Sequence, residues 1–158
     1  MAGSVVAPVL AARTAGLYGG DELVAAVVAA PDPAASWGEQ IRSAIRAVTE
    51  VPAHDPRKAR VKLIEVIGAG PCAEERRQRG LRAFADLLLA WLPPAAVQRG
   101  IDPDTLAVGL VAAANELFVG WIGGHLDLDR ERLVEHIALL IEATANQIAG
   151  DDSPLGTY

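Results

Sequence analysis

Residues 102–150 read DPDTLAVGLVAAANELFVGWIGGHLDLDRERLVEHIALLIEATANQIAG and predict two long helices joined by a short loop. Asp102-Pro103 offers a helix N-cap followed by a proline at the first helical position, where a missing N–H costs no hydrogen bond. Apolar residues then recur every three or four positions as far as Gly123-Gly124. This spacing predicts a helix over 104–123, about 30 Å long.

The second helix of the pair, predicted over 130–149, begins after Asp129 as its N-cap and ends at Gly150. It is apolar on two adjoining strips, and a helix of this kind is normally covered on more than one side. Either the chain's own helices cover both strips, or a second copy covers one of them, so that two hairpins form a four-helix bundle about a twofold axis. In the second case, the residues expected at the interface are Leu117, Trp121, Leu133, Ile137, Leu140, Ile141 and Thr144.

The upstream residues predict further helices from similar start and stop signals. Ser36-Trp37-Gly38-Glu39 has the form of a capping box and predicts a helix that ends before Pro52. Asp55-Pro56 predicts the start of the next helix, and Pro71 the start of another. The latter is expected to end at Pro93, whose ring disfavours helical backbone angles in the residue before it.

The whole pattern favours one fold class. No stretch alternates apolar and polar residues for long enough to predict a strand. We therefore expect an all-α fold, an antiparallel helical bundle of about six to seven helices. The helical domain is expected to span residues 21–150, preceded by a short amino-terminal segment, 1–20, and followed by a flexible tail, 151–158.

The composition excludes several classes of protein. With 51% hydrophobic and 22% charged residues, the 158-residue chain is expected to fold rather than to be disordered. The formal net charge of −6 argues against a free-standing nucleic-acid binder, because phosphate contacts need concentrated positive charge. The single cysteine, Cys72, excludes an internal disulfide and is expected to be buried.

Neither a membrane anchor nor an export signal is expected. The longest apolar run, 106–122, is interrupted by Asn115 and Glu116, and so falls short of the roughly 18–20 consecutive apolar residues of a membrane helix. The first basic residue is Arg13, so the amino-terminal residues lack the positive charge that begins a signal peptide. These features predict a cytoplasmic protein.

No set of residues predicts catalysis or metal binding. The phosphate-binding, dinucleotide-binding and nucleophile-elbow motifs are absent from the sequence, and we expect no enzymatic activity. His54, His125 and His136 do not have the close spacing of metal ligands. We therefore expect neither a metal site nor a cofactor.

Three segments resemble the carboxyl-terminal, ligand-binding and dimerisation domain of the tetracycline-repressor (TetR) family of transcriptional regulators. They are Asp102-Pro103-Asp104-Thr105-Leu106-Ala107, Asn115-Glu116-Leu117-Phe118-Val119-Gly120-Trp121, and Leu126-Asp127-Leu128-Asp129 leading into Leu133-Val134. The segments 56–61 and 74–77 match a weaker pattern of the preceding helices, and the resemblance covers roughly residues 36–149.

The resemblance implies a homodimer formed through helices 104–123 and 130–149, and a pocket for a small, largely apolar effector. The residues expected to line that pocket are Phe84, Leu88, Trp91, Asn115 and Phe118. The alternative is that the aromatic residues are ordinary core residues. One of Asn115 and Glu116 is expected to face a polar ligand or a partner, or else to point to solvent.

Regulators of this family begin with a helix-turn-helix, and Leu17-Tyr18-Gly19-Gly20-Asp21-Glu22-Leu23 resembles a shortened form of the junction that follows it. Residues 1–16 carry one charge, Arg13, which is too few for a segment that reads bases and phosphates. DNA is therefore an expected partner only if a complete helix-turn-helix exists upstream. The alternative function is a stand-alone helical ligand-binding or protein-interaction module that lacks DNA binding.

Overall fold

The computed structural model describes residues 20–55, 57, 60, 70–92 and 100–150. Among these residues the backbone forms five helices and no strand, which confirms the predicted all-α class. The helices are α1 (Gly20–Ala29), α2 (Trp37–His54), α3 (Pro71–Trp91), α4 (Pro103–Ile122) and α5 (Arg130–Ala149).

Capping side chains fix where the helices begin, as the sequence predicts. The Ser36 hydroxyl accepts a hydrogen bond from the Glu39 amide, and the Glu39 carboxylate accepts one from the Ser36 amide, which completes the capping box. Asp102 accepts from the Thr105 amide at 3.2 Å, and Asp129 from the Arg132 amide at 2.8 Å. These caps satisfy N–H groups that have no partner inside the helix.

The helix ends agree with the sequence in two places and differ in one. Leu92 is extended after α3, as a residue before proline should be, and Gly150 ends α5 with a φ of 78°. The prediction that α2 ends before Pro52 is wrong, since the helix continues to His54. Pro52 lies in the last turn and is buried, so its ring removes one helical hydrogen bond without forcing the chain out of the helix.

Some predicted segments lie outside the described residues. They are most of the helix expected after Asp55-Pro56, the greater part of the amino-terminal segment 1–20, and the tail 151–158. The described part of the chain therefore contains five helices, against the six to seven expected for the whole.

The core forms where α4 packs along α3 and α5 packs along both α2 and α4. Its buried residues come from α2 to α5 and from the end of α3, and are mostly aliphatic: Ile41, Ala85, Leu88, Leu92, Ala107, Leu110, Phe118, Leu133, Ile137, Ala138 and Ile141. A second, smaller cluster of Val27, Ala44 and Leu87 joins α1 to α2 and α3.

Removal of the α2 cap should have a measurable cost. We expect Ser36→Ala to lower the free energy of unfolding by about 1 kcal/mol, because the Glu39 amide loses its acceptor. Urea denaturation followed by circular dichroism measures this value. Ser36→Thr keeps the hydroxyl and should lose much less, so an equal loss in the two variants would contradict the capping interpretation.

Candidate functional site

The predicted pocket residues do not all come together. Leu88 and Phe118 are buried in the main core, and Trp91 is half-buried against it. Phe84 packs instead on the smaller cluster. Trp91 is the predicted pocket residue that borders both clusters, so the junction between them lies at its indole ring.

Trp37 is a neighbour of this junction that the sequence analysis missed. Its indole N–H donates a hydrogen bond to the Trp91 backbone oxygen over 3.2 Å, which ties the start of α2 to the end of α3. The signal was present in the sequence, because Trp37 is an apolar residue at the first helical position of the capping box.

The polar pair on α4 divides between two environments. Glu116 is exposed, whereas Asn115 is half-buried. Adjacent helical residues lie about 100° apart, so one of the pair faces solvent while the other turns toward the flank of the helix. Of the two, Asn115 is therefore the better placed to meet a polar group of a ligand.

Three residues predicted for a dimer interface lie inside the chain's own core. Leu133 is 0% exposed, Ile137 is 4% exposed, and Ile141 is also buried. Val134 and Ala145, which belong to the second apolar strip, are buried as well. Both strips of α5 are thus covered by α2 and α4, and a surface for a second copy must be built from other residues.

The other four predicted interface residues are half-buried at the edge of the core. Leu117, Trp121 and Leu140 pack against it. The Trp121 indole N–H donates to the Leu128 backbone oxygen at 3.0 Å, which fixes the loop between α4 and α5. The Thr144 hydroxyl donates to the Leu140 oxygen at 2.8 Å within its own helix.

The outward side of α4 carries a continuous exposed stripe, called here the outer stripe. Its members recur at three- and four-residue spacing along one face and are, apart from the two ends, apolar or small: Thr105, Val108, Gly109, Ala112, Ala113 and Glu116. Val108 is 43% exposed, although it is a large aliphatic residue. On α5, Leu139 is the other large hydrophobic residue left exposed among the described residues, at 46%.

Helix α4 is more apolar than a partly exposed helix usually is. By length and composition alone it passes as a membrane span, with a mean hydropathy of 1.6, yet only 17% of that window is buried within the chain. Much of the apolar surface of α4 is therefore left exposed by the described part of the chain.

An ion pair links α4 to α3. Arg82 donates to both carboxylate oxygens of Asp104, at 2.8 and 2.5 Å, and to Asp86 at 3.0 Å. The hydrogen bond from Arg82 lowers the pKa of Asp104, and the same contact raises the pKa of Arg82. The planar guanidinium fixes the distance between the two helices more sharply than a lysine would.

Comparison of the chain with models of known protein families, with curated proteins and with solved structures finds no match. The resemblance over roughly residues 36–149 therefore stays a prediction from the sequence.

One expectation about a single residue is wrong. Cys72 is exposed rather than buried, because it occupies the first turn of α3 on the solvent side.

Proposed function

We propose that this chain is the effector-binding and dimerisation domain of a TetR-like transcriptional regulator, which senses a small, largely apolar molecule. The outer stripe of α4 carries the proposal, because it is an apolar surface that the described residues of the chain leave exposed. The order of the helices and the capped α4–α5 pair also support it.

The outer stripe suits association with a second copy of the same surface. Gly109, Ala112 and Ala113 lie within one or two turns of one another, and small side chains let two helix backbones approach closely. About a twofold axis the same stripe occurs on both copies, so that its apolar residues face each other. Burial of the two stripes would contribute stability at roughly 25 cal/mol per Å² of apolar surface removed from water.

The effector is proposed to bind beside Trp91, where the two apolar clusters meet. A molecule that enters between the clusters displaces the end of α3, and α4 packs along α3. The ligand thereby favours the arrangement of α3 and α4 in which it fits, and the two copies change their relative position. DNA binding belongs to this function only where a complete helix-turn-helix precedes the domain.

The mass of the chain in solution tests the proposed association. Light scattering on a size-exclusion column, from about 1 to about 100 µM protein, should give twice the chain mass of 16.5 kDa at the upper concentrations. A mass of 16.5 kDa over the whole range would contradict the proposal.

The second candidate is a stand-alone module that binds a ligand or a protein without any role in transcription. The exposed outer stripe is compatible with it, since a different protein can cover the same surface. The gene separates the two candidates. An in-frame upstream segment encoding a basic three-helix unit favours the regulator, and an unrelated or absent segment favours the module.

A further inference from the structure

Helices α2 and α5 are joined by an unbroken series of alternating charges, called here the charge chain. Its members are, in order, Glu50, Arg130, Glu131, Arg46, Glu135, Arg42 and Glu142. Six contacts link these seven charged side chains, and five of the six cross from one helix to the other.

The contacts are shortest at two points. At one end Arg42 lies 2.5 Å from Glu142 and 3.0 Å from Glu135, and near the other end Arg130 lies 2.6 Å from Glu50. Gly38 makes room for the first pair, because a Cβ at that position would lie 2.7 Å from a Glu142 oxygen. Arg42 and Glu142 are also the most shielded members, with side chains 28% and 20% exposed.

We propose that the charge chain is an acid- and salt-sensitive latch that holds α5 in one register along α2. The proposal does not depend on the function proposed above. The apolar seam beneath it includes Ile41, Val134 and Ile137 and carries no charge that would add to this selection of register. Charged pairs discriminate between registers because each side chain needs an opposite charge within reach.

A shift of four residues in either direction costs Arg42 at least one of its two carboxylates. In the observed register Arg42 faces Glu135 and Glu142. A shift one way would place Leu139 and Asn146 opposite it, with no carboxylate at all. A shift the other way would leave it only Glu131, with Ala138 in the second position.

The sensitivity to acid follows from the carboxylates. The hydrogen bond from Arg46 lowers the pKa of Glu131 below its ordinary value of 4.5. The stabilisation from this carboxylate is therefore complete above that value, and it is lost as the pH falls through the lowered one. The contact with Glu135 raises the pKa of Arg42, so Arg42 keeps its charge at and above neutral pH and the latch stays closed there.

Few other charges reach the latch from the elements packed around it. On α2, Glu39 is bonded to Ser36 and also lies close enough to Arg42 to interact with its charge, and the described side chains of α1, 25–29, carry no charge. On α4, Asp104 pairs with Arg82 and Glu116 is exposed. On α5, the remaining charged or titratable residues, Arg132 and His136, are exposed. Salt should also weaken the latch, since the Debye screening length falls to about 3 Å at 1 M salt.

Hydrogen exchange of the full chain tests the latch at a single site. In about 0.05 M NaCl near pH 7, Arg42→Gln should speed exchange of the α5 amides roughly three- to tenfold, the range expected for two partly exposed ion pairs. In about 1 M NaCl the difference from the wild type should shrink. The matched control is Arg82→Gln, which removes one ion pair between α3 and α4 and one within α3, and should leave α5 within about twofold of the wild type. Equal exchange in the wild type and Arg42→Gln, or equal acceleration of α5 by Arg82→Gln, would overturn the proposal.

A distance measurement tests the register itself. Spin labels are attached at Ala53→Cys and Asn146→Cys, which lie at opposite ends of the α2–α5 pair. The labelled chain also carries Cys72→Ser and is diluted with unlabelled chain. Along the common axis of the two antiparallel helices, the labelled positions are about nineteen residues apart, which corresponds to about 28 Å. At pH 7 and low salt we expect one distance, and below about pH 3 or in about 1 M salt a second population displaced by about 5 Å, one helical turn. A distribution that is unchanged by both acid and salt would contradict the latch.

Discussion

Replacement of Ile137 by Asp should unfold the chain. Ile137 is 4% exposed and lies in the main core between α2 and α5. The substitution removes a buried aliphatic side chain and places a carboxylate where it has no partner. We expect a loss of at least about 4 kcal/mol, which is a large part of the total stability of a domain of this size. Far-ultraviolet circular dichroism and urea denaturation measure the loss.

Leu139→Asp is the matched control for that prediction. It introduces the same carboxylate on the same helix two residues further on, at a position that is 46% exposed. The helical signal and the midpoint of denaturation should stay close to those of the wild type, since surface substitutions usually change stability by less than about 0.5 kcal/mol. Similar unfolding in both variants would show that the core is not where the structure places it.

Ala112→Arg should abolish the proposed dimer without unfolding the monomer. Ala112 lies in the middle of the outer stripe and is exposed in the single chain, so an arginine fits there when the stripe faces water. In a twofold interface the substitution occurs twice, and each copy places a long charged side chain against an apolar surface. A cost of about 1.4 kcal/mol for each copy weakens the dissociation constant about 100-fold. Light scattering against concentration measures the shift.

Ala90→Arg controls for the added charge. Ala90 is an exposed alanine near the end of α3, away from the outer stripe. A basic residue is favourable near the carboxyl end of a helix, so the variant should remain folded. Its mass in solution should equal that of the wild type. If Ala90→Arg and Ala112→Arg dissociate the assembly equally, the outer stripe is not the interface.

The helix boundaries of the described residues could be predicted because local chemistry determines them. Ser36, Asp102 and Asp129 each accept a hydrogen bond from an amide three residues later, and such a pairing needs nothing beyond the adjacent turn. Pro52 was misjudged because the consequence of a proline depends on its distance from the helix end. In the last turn it costs one hydrogen bond, and tertiary burial of the ring offsets this cost.

The covering of α5 could not be predicted from its pattern. The sequence shows that Leu133, Ile137 and Ile141 lie on apolar strips, but periodicity does not specify which neighbour buries a strip. The structure assigns both strips to α2 and α4 and leaves Gly109, Ala112 and Ala113 of α4 outward. Alanines and glycines contribute little to an apolar pattern, so the outer stripe was less conspicuous than the strips that turned out to be internal.

The division of the predicted pocket residues between two clusters could not be predicted, for a similar reason. Phe84, Leu88 and Trp91 share a helical stripe in the sequence, yet the first packs on the smaller cluster and the second on the larger. A stripe spanning several residues is wide enough to meet two neighbouring helices at once. The partition between clusters is set by the position of α1, which no local feature of α3 encodes.

The placement of the three tryptophans gives the chain an intrinsic optical reporter. Trp37 and Trp91 meet at the junction of α2 with α3, and Trp121 is bonded to the loop before α5. Each indole is half-buried, a state in which emission wavelength responds to small changes in access of water. Unlabelled protein therefore signals a displacement at either junction through its own fluorescence, and single Trp→Phe variants separate one junction from the other.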